Sequence, residues 1–294
     1  MREWGHHRYQ GKCLWWPILA RNKKSVTANL REEKGQEMVR KLLAGADVLI
    51  ENFKPGTIEK WGLGPEALHA INPGLVIVRI SGFGQTGPYS SRPGFASVGE
   101  AMGGLRYING FPDQPPPRAG ISLGDTLTGM FAVQGCLMAL YWRDALGGGK
   151  GQVVDASITE SCFAFMEGAL PEYQKLGVIR EPSGTGLANV SPSNISPTRD
   201  GKWVVIAANM DSLFGRLCEA MGQPELAKDP RYVTHKVRGD NAAELDGRIA
   251  EWSKTLTAEE LDKLLDDHGV VVGPIYTMAD IVKDPQFLAR DMIR

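Results

Sequence analysis

One carboxylate, that of Asp125, lies in a glycine-rich stretch that runs directly into an apolar helical segment. The stretch is GISLGDTLTG, residues 120–129. Backbone N–H groups and the dipole at the start of a helix favour an ionised carboxylate. Small neighbours let a bulky substrate come close, so Asp125 is a candidate nucleophile. Aspartate is also among the best N-cap residues, and a capping role is the structural alternative.

Two loops must lie near each other if the predicted strands form one sheet. The apolar runs 48–50 and 75–80 predict strands with a helix between them, and this order predicts a parallel sheet. The loops 51–56 and 81–87 then leave the carboxyl ends of their strands at a shared edge, where ligands bind in such folds. The helix that Asp125 opens can point to the same edge.

These loops carry two further signals. Lys54 and Lys60 bracket the first loop, so a phosphate-bearing ligand is the alternative to solvated surface lysines. Gly82, Gly84 and Gly87 match the spacing of a dinucleotide-binding fingerprint, which needs a helix at its last glycine. Prolines at positions 88 and 93 argue against that helix. The pattern favours a tight loop whose backbone approaches a ligand.

Composition narrows the class of protein. The 294 residues carry a net charge of −1, which gives no reason to expect nucleic acid or an anionic membrane as partner. The four cysteines and five histidines show no metal-ligand or disulfide spacing, so we expect no metal and a cytoplasmic location. The segment 126–142 is apolar on nearly every face and predicts a buried helix, and the run 130–142 is too short to cross a bilayer.

Hydrophobic periodicity outlines the rest of the chain. Further helices are predicted at 33–44, 65–70, 157–169, 213–221 and 258–268, and further strands at 152–155, 203–207 and 270–275. Residues 181–197 are rich in Ser, Gly, Asn and Pro and predict a loop. We therefore expect a large domain over residues 1–176, a linker over 177–193 and a small domain over 194–294.

Several of these segments together resemble one known family, the class III CoA-transferases of the CaiB/BaiF type, which include formyl-CoA transferase and carnitine CoA-transferase. The matching segments are RNKKSV (21–26), ADVLIENFKPG (46–56), GFGQTGPY (82–89), GDT (124–126), GKGQ (149–152), DGKW (200–203) and GPI (273–275). The resemblance covers almost the whole chain. It implies a Rossmann-like α/β large domain with a parallel sheet, a smaller α/β domain, and an interlocked homodimer.

The resemblance also implies roles for individual residues. Asp125 falls on the catalytic aspartate of the family. The positions that hold CoA are Asn52, Phe53, Lys54, Lys60, Ser81, Gly82, Phe83 and Gly84, and less securely Leu30 and Arg31. Gly184, Thr185 and Gly186 fall where relatives carry a glycine-rich loop over the active site. Acyl-CoA and a carboxylic acid are implied as substrates, with no permanently bound cofactor and no metal.

The implied reaction transfers CoA through a thioester on Asp125, with backbone N–H groups near Gly124 and in the 184–186 loop as oxyanion donors. The stretch 92–121 resembles members that act on dicarboxylic acids, and Arg92, Arg106 or Arg118 can then hold the distal carboxylate.

Two alternatives stay open. In α-methylacyl-CoA racemases a histidine precedes the aspartate by thirty residues, but here that position is Phe95, which cannot act as a base. Relatives also begin with a further strand–helix–strand unit and end with a returning segment, so we expect a truncated chain. A non-catalytic CoA-binding protein is therefore the second alternative.

Overall fold

The computed structural model describes residues 2–293, and by its internal contacts the chain divides into two compact units. The first contains the residues up to Gly103 together with Ile121–Phe165. The second contains Gly104–Gly120 and the residues from Met166 onward. These bounds differ from the division expected from composition. The excursion 104–120 is rich in glycine and proline, which predicts a loop but does not indicate the unit with which that loop packs. The domain boundaries themselves stay a prediction.

The first unit is built on a short hairpin and a three-stranded parallel sheet. The hairpin pairs β1 (Arg8–Tyr9) with β2 (Lys12–Cys13), and the sheet has the order β3 (Val48–Glu51), β4 (Val76–Ser81), β5 (Val153–Ser157). Its helices are α1 (Trp15–Leu19), α2 (Glu33–Leu43), α3 (Thr57–Lys60), α4 (Pro65–Ile71), α5 (Ala96–Met102), α6 (Leu123–Ala145) and α7 (Ile158–Phe163). The predicted α/β fold with a parallel sheet is confirmed.

Apolar side chains cover both faces of this sheet, as a parallel sheet requires. Side chains alternate across β4: Leu75 and Ile77 belong to one buried cluster with residues of α2 and α4, and Val76 and Val78 belong to another with residues of α6. β4 is therefore the central, most buried strand. No helix begins at Gly87 in the described chain, where the next helix is α5, so the dinucleotide fingerprint is not completed.

The helix α6 is buried on one side only, so the prediction of a helix buried on nearly every face is wrong. It has 23 residues and buries one stripe, which includes Leu127, Ala132, Cys136 and Ala139, against the sheet and its neighbours. Its other face is exposed and carries apolar residues, namely Met130, Val133, Leu137, Met138 and Tyr141. A 3.6-residue period turns only one side of a helix to one neighbour, so apolar composition alone did not predict burial. By length and composition alone this helix could cross a membrane, as many core helices of soluble proteins also could.

The second unit contains an antiparallel sheet of β6 (Ser193–Pro197), β7 (Trp203–Ala207) and β8 (Val271–Pro274), with β7 in the centre. Its helices are α8 (Ala169–Leu176), α9 (Asp211–Ala220), α10 (His235–Asp240), α11 (Ala242–Ser253), α12 (Ala258–Asp267), α13 (Met278–Ile281) and α14 (Pro285–Ala289), with a 3-10 turn at Pro224–Lys228. The core packs Phe214, Leu217, Leu245, Leu261 and Leu265 around β7.

Two predicted elements between residues 157 and 197 are wrong. The loop expected over 181–197 ends in strand β6, whose polar sequence SNISP is held by backbone pairing with β7. The helix expected over 157–169 is divided: α7 ends at Phe163, and α8 begins at Ala169 after a turn in which Glu167 has a positive φ of 49°. Composition identifies neither feature, because both depend on tertiary neighbours.

Candidate active site

A cavity of about 330 Å³ lies in the first unit at the carboxyl ends of β3 and β4. The residues that line it are Asn52, Phe53, Lys54, Pro55, Ile80, Ser81, Gly82, Ser90, Arg92, Pro93, Gly94, Phe95, Asp125 and Ile158. The structure thus brings together the two loops that the parallel strands predict at one edge, and the start of α6 with them. Asp125 is the only carboxylate and Lys54 and Arg92 are the only cations among these described lining residues.

Asp125 occupies the third position of α6 and is exposed towards solvent. The N-cap of this helix is Ser122, and its side chain makes no capping hydrogen bond. The N-cap alternative for Asp125 is therefore wrong. Its carboxylate lies in the first turn of a 23-residue helix, where the positive end of the dipole stabilises negative charge.

Residues of β5 and of the first turn of α7 hold the loop that follows β4. The hydroxyl of Thr159 donates to the carbonyl oxygen of Gly82 at 2.9 Å, and a carboxylate oxygen of Asp155 accepts the N–H of Gln85 at 2.8 Å. The N–H of Gly84 donates to the hydroxyl oxygen of Ser81 at 2.9 Å. These bonds fix the backbone of the loop. Ser81 and Gly82 therefore face the cavity in a defined conformation.

Two glycines let this loop meet the segment that precedes α5. A Cβ on Gly82 would lie 2.7 Å from the Cα of Gly94, and a Cβ on Gly94 would lie 2.7 Å from the Cα of Gly82. Real Cβ contacts are essentially never so short, so each position requires glycine. The close approach places Arg92 and Phe95 beside the β4 loop on the cavity wall.

A buried ion network supports the loop after β3. Arg79 donates from Nε to Glu51 and from Nη1 to Glu59, each at 2.7 Å, and Glu51 also accepts the N–H of Phe53 at 2.7 Å. Arg79 and Glu51 are buried. Burial lowers the pKa of Arg79, but hydrogen bonds to the two glutamates outweigh it and the pKa is raised. Arg79 therefore stays charged, and its bond to Glu51 anchors the segment that carries Asn52 and Lys54.

The guanidinium of Arg92 stacks on the ring of Tyr89, with its Cζ 3.8 Å from the ring centroid. Tyr89 in turn packs edge-on against Phe83, with ring centroids 5.8 Å apart. This stacking orients the guanidinium and leaves the N–H groups along its edge for a planar anion. Lys54 supplies a second positive charge in the same cavity, suited to a phosphate.

Other candidates from the sequence lie outside the cavity wall. Leu30 packs against the core cluster beside α2, and Arg31 is exposed. Lys60 is exposed at the end of α3, and Phe83 and Gly84 belong to the β4 loop without lining the cavity.

The glycine-rich candidate loop belongs to the second unit. Gly184 pairs with Gly110 through a backbone bridge, with its N–H 2.8 Å from the carbonyl oxygen. The hydroxyl of Thr185 donates to Asn194 at 2.6 Å, and the carbonyl oxygen of Gly186 accepts the hydroxyl of Ser183. The loop is thus held to the excursion 104–120 and to β6.

The N–H of Gly124, expected to be an oxyanion donor, already donates a hydrogen bond within the protein. It donates to a carboxylate oxygen of Glu100 at 3.0 Å, and Glu100 is buried. Sequence reasoning missed Glu100, together with Asp155 and Thr159, because their roles arise only from packing between α5, β5 and α6. Within residues 2–293 no group of three or more His, Cys, Asp or Glu side chains is placed to hold a metal ion.

Comparisons with known proteins agree with this architecture. The model of CoA-transferase family III matches residues 1–294. The chain is 57% identical over its full length to a succinyl-CoA–D-citramalate CoA-transferase of Chloroflexus aurantiacus, of which it spans 72%. It is 42% identical over 94% of its length to the alpha subunit of a succinyl-CoA–L-malate CoA-transferase of the same organism, of which it spans 64%.

A solved structure agrees as well. A CaiB/BaiF family protein from Brucella suis superimposes with a TM-score of 0.86 at 37% identity, covering 99% of this chain and 77% of that one. A parallel sheet with its cavity at the carboxyl edge, an aspartate in the first turn of α6, and a family match along the entire sequence all lead to one assignment. The chain belongs to CoA-transferase family III.

Proposed function

We propose that this chain transfers CoA from an acyl-CoA donor to a dicarboxylic acid through a thioester on Asp125. The observation that carries the proposal is the single carboxylate in a cavity whose other charged groups are Lys54 and Arg92. Relatives named for succinyl-CoA with citramalate or malate support a dicarboxylic acceptor. Asn52, Lys54 and Ser81 line the same cavity and are proposed to hold the CoA moiety.

In the proposed reaction the Asp125 carboxylate forms a mixed anhydride twice, first with the donor acyl group and later with the acceptor acyl group. Its carboxylate attacks the donor thioester carbonyl, the C–S bond breaks, and CoA thiolate leaves a mixed anhydride. The thiolate then attacks the aspartyl carbonyl and releases the first acid as its carboxylate. The acceptor carboxylate attacks the carbonyl of the resulting aspartyl thioester, the C–S bond breaks, and a second mixed anhydride forms between Asp125 and the acceptor. The expelled thiolate attacks the acceptor carbonyl of this anhydride, which gives the acceptor thioester and restores the Asp125 carboxylate. Every intermediate is hydrolysable, so exclusion of water is required.

Isotope transfer tests the covalent route. With an acceptor labelled by ¹⁸O in its reacting carboxylate, the bridging oxygen of the second anhydride stays on the enzyme. We expect the peptide that contains Asp125 to gain at least one ¹⁸O atom, measured by mass spectrometry after turnover, while a peptide that contains Asp113 gains none. Product formation without label on Asp125 would show direct transfer and contradict the proposal.

Arg92 is proposed to bind the distal carboxylate of the acceptor, because it is the stacked guanidinium in the cavity with Asp125. Arg92→Gln is expected to lower kcat/KM for a dicarboxylic acceptor roughly 10- to 100-fold, since a charge-assisted bidentate pair is lost. Activity with a monocarboxylic acceptor should change much less. Arg118→Gln in the second unit is the matched control, and a larger loss there would assign the role to Arg118 instead.

A second copy of this chain is the proposed protein partner. The exposed face of α6 carries Met130, Val133, Leu137, Met138 and Tyr141, and covering such a face removes apolar surface from water. We expect light scattering after size-exclusion chromatography to give about twice the chain mass of 32.1 kDa. The racemase alternative is disfavoured by Phe95 on the cavity wall and by the lack of any histidine between His69 and His235.

A further inference from the structure

Glu100 is a buried carboxylate that the proposed chemistry does not use. It lies on α5 with 3% of its surface exposed, and its Oε1 accepts the N–H of Gly124 at 3.0 Å. Gly124 is the residue before Asp125, in the first turn of α6. Among the described residues no lysine, arginine or histidine forms an ion pair with Glu100.

The packing around Gly124 shows that this contact is built into the fold. A Cβ on Gly124 would lie 3.2 Å from the carbonyl oxygen of Ala96 and 3.3 Å from both Cγ of Glu100 and Cγ2 of Ile158. The start of α6 is thus pressed against α5 and α7. The N–H of Gly124 is one of the amides that a helix N-terminus leaves without an acceptor, and Glu100 supplies that acceptor.

The charge of Glu100 acts on the same region as that of Asp125. The pKa of the buried Cys162 thiol is raised by burial first, and then by the negative charges of Glu100 and Asp125. The hydrogen bond to Gly124 places the Glu100 carboxylate beside the first turn of α6, which also carries Asp125. Two negative charges repel each other, and the repulsion ends when one of them becomes neutral.

We propose that Glu100 is a positioning residue that holds the Gly124–Asp125 backbone, and that its negative charge beside the first turn of α6 favours the acylated form of Asp125 over the free carboxylate. This inference rests on the proposed function. Conversion of the Asp125 carboxylate into a neutral thioester moves the negative charge to the released acid, which leaves the cavity. Glu100 thus favours the acylated enzyme and raises the reactivity of a carboxylate that the dipole of α6 alone would stabilise.

The equilibrium constant of adduct formation tests this role. Acyl-CoA and its free acid are mixed with the full chain at set ratios, and the fraction that carries CoA is measured by intact-protein mass spectrometry. Glu100→Gln keeps an oxygen acceptor for Gly124 and removes the charge, so we expect the constant to fall about tenfold with an unchanged urea midpoint. Glu100→Asp keeps the charge and is expected to stay within about threefold of wild type.

Three results would overturn the role of the Glu100 charge. An unchanged constant in Glu100→Gln reduces Glu100 to a structural cap and overturns the inference while the proposed function stands. An equal loss in Glu100→Asp shows that side-chain length and not charge matters, and also overturns it. Absence of any adduct on the wild-type chain overturns the proposed function and this inference together.

Discussion

Replacement of Asp125 by asparagine is expected to lower kcat for CoA transfer by at least about a thousandfold, and to abolish the covalent CoA adduct. Asparagine has nearly the same shape, but its amide does not attack a thioester, so the proposed route through an aspartyl thioester is lost. Binding of acyl-CoA should change little, because the other residues of the cavity wall are untouched. Transfer is measured by chromatography of the thioesters and the adduct by intact mass.

Two comparisons make this result specific to the cavity. Asp113→Asn changes an exposed aspartate on the excursion 104–120 and should leave kcat within about twofold of wild type. Asp125→Ala should match Asp125→Asn, which excludes rescue by deamidation of asparagine. Substantial transfer by both Asp125 variants would assign the acyl group to another carrier or to direct attack between substrates.

The close approach of the two loops that line this cavity was predictable from sequence, because it follows from the topology of the sheet. Strand, helix and strand in that order give a parallel sheet, and a parallel sheet brings the loops after β3 and β4 to one edge. Helical periodicity predicted Asp125 at the start of α6. It did not distinguish the N-cap from the third residue of the helix, where the structure has it. The family resemblance then added the roles of individual residues.

Features that depend on tertiary packing were not predictable. Apolar composition suggested a buried α6, but one side of the helix has no neighbour among the described residues. The proline- and glycine-rich sequence of the excursion 104–120 predicts a loop, but it does not indicate that this loop belongs to the second unit. Glu100 lies 24 positions from Gly124 in the chain and reaches its N–H only because α5 packs against α6. Local patterns carry no information about such contacts.

Replacement of Arg79 by methionine is expected to lower the unfolding free energy by about 3 kcal/mol, because the buried carboxylate of Glu51 loses its charged partner. Hydrogen exchange should localise the effect: peptides from β3 and β4 should exchange faster, and those from β7 should not. Arg199→Met removes an exposed pair with Glu260, where both side chains are about half exposed, and serves as the control. We expect it to leave exchange in β3 and β4 unchanged.

The Arg79→Met substitution is also expected to affect binding of acyl-CoA in the cavity. Glu51 accepts the N–H of Phe53 at 2.7 Å, so a Glu51 side chain that turns towards water withdraws support from the segment that carries Asn52 and Lys54. Arg79→Met should therefore raise KM for acyl-CoA while kcat changes little. Addition of Glu51→Leu removes the unpaired charge and should recover part of the stability but not KM, since the bond to Phe53 is then lost altogether. Equal stability of the single and double variants would show that Glu51 is already solvated, and that the ion network does not support the cavity.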